Sequence, residues 1–150
     1  MKNTALIASL FILLLIASSC KDEEGKISAK LEGQWQGDHM DAKVTYGLIP
    51  LHEEDDENFD ALLDFKADGT VDFTRDGNTT SGTYQLNGTK LTTNVDLQMD
   101  GIEISTVTFD VMELSPTKLR LHLDQDQEVE VPDVGPVNTT IKANLFFDRL

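Results

Sequence analysis

Past the first thirty residues, hydrophobic and polar positions alternate in short blocks. Leu63 and Phe65 fall on one face with Asp64 and Lys66 on the other, and Val71 and Phe73 oppose Thr70, Asp72 and Thr74. Leu91, Val95, Leu97 and Met99 oppose Thr92, Asn94, Asp96 and Gln98. Leu119, Leu121 and Leu123 oppose Lys118, Arg120 and His122, while Ile141, Ala143, Leu145 and Phe147 oppose Lys142, Asn144 and Asp148. A period of two is the mark of a strand with one buried face. Asp68-Gly69, Asp76-Gly77, Asn87-Gly88 and Asp100-Gly101 punctuate these blocks, and such pairs supply the positive φ angles of tight hairpin turns. Ser115-Pro116-Thr117 makes a further turn.

Between the turns the pattern predicts eight strands, at about 33–46, 60–66, 70–75, 80–86, 89–99, 102–114, 118–124 and 139–148. One of them changes phase. Ile102 and Ile104 are even-numbered, Val107, Phe109 and Val111 odd, and Met112 and Leu114 even again, so a bulge is expected near Ser105-Thr106. Beyond the N-terminal segment nothing carries a 3.6-residue stripe of helical length. The expected fold class is all-β, an eight-stranded antiparallel up-and-down barrel, because closure removes the edges an open sheet would leave. A two-sheet sandwich is the rival. It needs crossover connections, and only two connections are long, 48–59 and 125–138.

The N-terminus follows a different pattern. Lys2 precedes an apolar run from Ala5 to Ala17 whose only hydroxyl is Ser9, and small residues then lead to the sole cysteine, Cys20. Such a run is short for a bilayer span, which takes about 20 residues, but suits the apolar region of a signal peptide. Ala17-Ser18-Ser19-Cys20 resembles the looser lipobox of Bacteroidota lipoproteins, in which the cysteine is acylated after cleavage. Lys21-Asp22-Glu23-Glu24 resembles the charged signal that sends such lipoproteins to the outer face of the outer membrane. The resemblance implies a signal peptide at 1–19, a lipidated Cys20 with an acidic tether to residue 30, and a domain at 31–150. An uncleaved anchor and ordinary secretion are the other readings of these residues.

Removing residues 1–19 leaves 131 residues, enough for one domain with a sizeable core. Only Lys2 is lost among the charged residues, so eleven Lys and Arg face 27 Asp and Glu, a formal charge of −16. No basic stripe exists, which excludes nucleic acid as a partner. Lipidation would leave no thiol for a disulfide, so the fold must rest on packing alone. Membrane contact is expected through the lipid at Cys20 only.

Leu31-Glu32-Gly33-Gln34-Trp35 opens the first predicted strand, and its Gly-x-Trp resembles that of the lipocalins and the wider calycin group. Phe65-Lys66-Ala67-Asp68-Gly69-Thr70-Val71 is similar to a hairpin of lipocalin-like domains in Bacteroidota lipoproteins. The resemblance extends over about 31–150, without the second and third lipocalin motifs. It implies that Trp35 closes one end of the barrel beneath Arg149, with Gly33 beside them, as a structural group.

The inward positions, among them Trp35, Phe65, Phe73, Tyr84, Leu97, Phe109, Leu121 and Phe147, are nearly all apolar. Eight strands enclose a space that side chains just fill or that holds one small ligand, and alternation alone does not separate the two. Phe65, Phe73, Tyr84, Leu97, Phe109 and Leu121 are the candidate ligand-binding residues, with Tyr84 and Thr108 as the polar candidates. The acid run Glu53 to Asp60 reads as a solvated loop, and its place between the first two strands suits a lid. His39, His52 and His122 match no metal motif, so no metal or other cofactor is expected. No nucleophile elbow or phosphate loop occurs, and no enzymatic activity is expected. The expected function is uptake of a small apolar or amphipathic ligand. The alternative is a closed-core module of a cell-surface protein complex.

Overall fold

The computed structural model describes residues 26–27, 30–95, 97–99, 102–104, 106–131 and 135–150. The expected signal peptide, Cys20 and Ser105 lie outside these residues, and Leu97 is described by its backbone alone. The strands are β1 (Lys26–Ile27), β2 (Gly33–Tyr46), β3 (Ile49–Asp56), β4 (Ala61–Phe65), β5 (Thr70–Arg75) and β6 (Asn78–Asn87). They continue as β7 (Lys90–Thr93), β8 (Leu97–Met99), β9 (Ile102–Ile104), β10 (Val107–Leu114), β11 (Lys118–Val131) and β12 (Gly135–Arg149).

Eight strands close a barrel in the order β2, β4, β5, β6, β7, β10, β11, β12, with β12 returning to β2. Every neighbouring pair around this ring is antiparallel. Alternation drives the arrangement: Phe65, Val71, Leu91, Phe109, Leu121 and Phe147 are all buried, from six different strands. The Asp76-Gly77 turn has φ of 52° and 77°, which is what a two-residue hairpin with the twist of its strands requires.

The structure corrects the predicted strands in three places. The first half of the acid run, Glu53 to Asp56, is not a loop, because β3 pairs with the second half of β2 from Met40↔Asp56 to Tyr46↔Ile49; only 57–60 form a turn and loop. The 125–138 connection is mostly strand, since β11 and β12 stay in unbroken register from Lys118↔Asp148 to Val131↔Gly135. The predicted strands 89–99 and 102–114 each divide, leaving β8 and β9 as a separate two-stranded ladder. A backbone ladder needs no apolar face, so the acidic half of β3 and the 125–131 part of β11 pair without a hydrophobic signal.

Two bulges re-aim side chains. Along β10 the register with β11 shifts between Val111 and Glu113, which leaves Met112 exposed and returns Leu114 to the core. Along β2 the pairing passes from Phe146↔His39 to Phe147↔Gly37 and skips Asp38. The inward phase of β2 therefore changes from Trp35 to Met40, Ala42 and Val44, all buried. Gly37 sits at this bend because a Cβ there would stand 2.4 Å from the Phe59 carbonyl oxygen and 2.7 Å from its ring.

Candidate functional site

Trp35 is fully buried at one end of the barrel. Its indole Nε1 donates to the Leu31 carbonyl at 2.8 Å, and the Arg149 guanidinium stands 4.4 Å from the ring centroid. Arg149 also donates to the Lys30 carbonyl at 2.5 Å, and its side chain lies 3.6 Å from where a Cβ on Gly33 would be. The φ of +125° at Gly33 disfavours any other residue. The final strand is thus locked to the first by a cation–π contact and hydrogen bonds.

Above this floor lies a cavity of about 100 Å³. Its cause is legible in the register: Ala143 pairs with Ala42 across the β12–β2 ladder, and both methyl groups face inward where longer side chains would meet. Met40, Leu63, Phe73, Leu121 and Leu145 continue the wall. Of its eighteen residues only Arg75 and Thr93 are not apolar. A lining of this kind offers water few of the two to four polar partners that hold it.

Phe65, Phe73, Phe109 and Leu121 line this cavity; Tyr84 does not. The Tyr84 ring meets Phe65 edge-on at 4.9 Å, and its hydroxyl donates to the Lys66 carbonyl at 2.9 Å. Burial, with Glu32 and Asp68 nearby, raises its pKa above the ordinary tyrosine value. Thr108, expected inside, is on the outer surface, where its hydroxyl lies 3.0 Å from that of Thr92. The bulged β10 keeps Val107, Phe109 and Val111 inward, and Thr108 follows the opposite phase.

Arg75 was missed from the sequence although it shares the phase of Val71 and Phe73. It is the one charged residue of the wall. Its stem lines the cavity, while its guanidinium stacks 5.2 Å from the Phe59 ring centroid and pairs with Glu54 of β3. Phe59, also buried, packs edge-on against Phe147 at 5.8 Å. The acid run is therefore part of the barrel wall's upper rim.

The histidines are spread over the outer surface and rim. His39 lies against Phe146, His52 lies 3.5 Å from Glu54, and His122 Nδ1 lies 2.7 Å from Asn144 Oδ1. Among the described residues no group of three or more His, Cys, Asp or Glu side chains is placed to hold a metal ion.

The chain is an all-β protein, a closed eight-stranded antiparallel barrel around an apolar cavity. The chain belongs to the Lipocalin-like domain family, whose sequence profile matches residues 31–121. The match runs from the floor residues through the start of β11. The crystal structure of a lipocalin-like protein from Bacteroides uniformis ATCC 8492, at 1.79 Å resolution, is 19% identical, covering 80% of this chain and 98% of that chain with a TM-score of 0.44. No curated protein matches the sequence.

Proposed function

We propose that this protein is a lipoprotein, anchored at the outer membrane through acylated Cys20 and facing the cell exterior, whose barrel takes up a small apolar or amphipathic ligand. The cavity beside Ala42 and Ala143 carries the reading. Apolar surface moved from water into such a space gains about 25 cal/mol per Å². The function is binding without turnover, in keeping with a wall that is apolar at all but two positions.

Native mass spectrometry of the mature chain purified from its host tests the uptake. A small-molecule adduct released on denaturation is expected, and a bare mass from every preparation would sink the reading. Anchoring is tested separately, by labelled palmitate that the Cys20→Ser variant no longer incorporates. Protease access to the domain on intact cells reports which way it faces.

A second reading, an accessory module of a surface complex, draws on the tip of the β2–β3 hairpin. Tyr46, Leu48 and Ile49 are exposed there, Leu48 completely. Site-specific cross-linking from position 48 on intact cells supports this reading if one protein is trapped reproducibly, and counts against it if none is.

A further inference from the structure

The cavity wall carries a single hydroxyl, that of Thr93, and its hydrogen bonding is half used. Thr93 Oγ1 accepts the Val95 N–H at 3.2 Å, while no described residue accepts its proton. The neighbouring segment holds that oxygen in place. Asn94 donates its N–H to the Thr83 carbonyl at 3.3 Å, and its Oδ1 accepts the Thr83 N–H at 2.6 Å and hydroxyl at 3.2 Å. Val95 is buried against Gly82, where a Cβ would stand 2.9 Å from the Val95 nitrogen. The Thr93 oxygen is therefore fixed, and only its O–H bond is free to turn. β7 stands opposite β2 in the ring of eight, so Thr93 and Ala42 line the cavity from facing walls.

The geometry points to a small uncharged ligand with one acceptor oxygen: an apolar body beside Ala42 and Ala143, and a carbonyl or ether oxygen that takes the Thr93 proton. The assignment rests on the uptake reading above and deepens it. A charged head group is excluded by the wall. It offers no carboxylate to an ammonium group, and its one cation, Arg75, is already paired with Glu54. A charge brought there without a partner loses its hydration uncompensated. A pure hydrocarbon leaves the Thr93 proton unmet, whereas a carbonyl oxygen accepts it and brings no donor that needs a partner of its own. Size sets the body. An engineered apolar cavity of about 150 Å³ holds benzene. In proportion, the cavity of about 100 Å³ holds roughly four carbons, and a long acyl chain does not fit.

The test is titration of the mature chain with 2-butanone, 2-chlorobutane and butyrate at neutral pH, read from the NMR signals of the Ala42 and Ala143 methyl groups. Both uncharged compounds are expected to shift these signals, and butyrate to leave them in place. Thr93→Val keeps the shape of the side chain; it should weaken butanone roughly fivefold and change 2-chlorobutane by less than about twofold. Thr93→Ser keeps the hydroxyl and should keep the parent's affinity for butanone. A second readout needs no variant: the carbonyl ¹³C of butanone bound to the parent should stay near its position in water, where it also accepts hydrogen bonds. A bound signal moved to its position in hydrocarbon solvent overturns the assignment while leaving the uptake reading intact. So does butyrate binding more tightly than butanone, or a Thr93→Val variant that binds butanone as the parent does. Failure of both uncharged compounds to shift the methyl signals overturns both readings.

Discussion

Ala42 and Ala143 decide, by what they lack, that this barrel is not filled. Ala143→Leu places a side chain into the cavity, where added burial of about 0.8 kcal/mol per methylene offsets packing strain. The variant is expected to keep a denaturation midpoint close to the parent's and to lose its small-molecule adduct, measured by urea titration and by native mass spectrometry. Gly37 works in the opposite sense, as a residue with no room beside it. Gly37→Ala drives a methyl into the Phe59 carbonyl and ring, and a loss of about 1–3 kcal/mol in urea unfolding is expected. At this scale strand parity was informative for Phe65, Phe73, Phe109 and Leu121, whose alternation is unbroken. The expectation of Thr108 inside ran against that parity, which puts it opposite Phe109 and on the outer face. Arg75 was in phase with Val71 and Phe73, but a charged residue before a turn reads as solvated, and only the fold shows Glu54 arriving to meet it.

Among the elements, the β4–β5 hairpin carries a pH signature. The Lys66 ammonium donates to Asp72 at 2.6 Å, as does the Ser81 hydroxyl, and these bonds hold the Asp72 carboxyl below its ordinary value of 3.8. Asp68 is lowered likewise, first by the Thr70 hydroxyl and then by its backbone N–H. A carboxyl lowered in the folded state stabilises it above the unfolded value, and the contribution is lost as pH falls through the lowered one. Asp72→Asn should therefore be less stable than the parent at neutral pH, with the gap closing under acid; urea midpoints measured across that range check it. Both groups are solvent-exposed, so the effect is small. The element most poorly legible in the sequence is β3. Its acids occupy both faces, Glu53 and Asp55 outward, Glu54 and Asp56 toward Arg75, and a binary pattern is silent where both faces are polar. The bulge of β10 at Met112 was signalled by the return to an even number at Leu114, while Ser105, at the bulge expected near 105–106, lies outside the described residues. In β2 the phase change between Trp35 and Met40 is masked by Gly37, Asp38 and His39, which carry no hydrophobic phase at all.

For the whole molecule, eight alternating segments on short turns left few ways to satisfy every strand edge, and ring closure from β2 round to β12 follows from that count. The register of the last strand was less visible, since β12 begins in a polar stretch that only its ladder with β11 organises. The cavity was invisible in principle, because a packed core and a lined void share one alternation; only the Ala42–Ala143 pairing distinguishes them. That void has a mechanical consequence. The volume lost when a folded protein opens under compression grows with the internal void that unfolding eliminates. Hydrostatic pressure should therefore unfold this barrel readily, and an occupant that fills the void should raise the pressure it withstands. High-pressure fluorescence of Trp35, with and without 2-chlorobutane, would read the barrel as a gauge of its own emptiness.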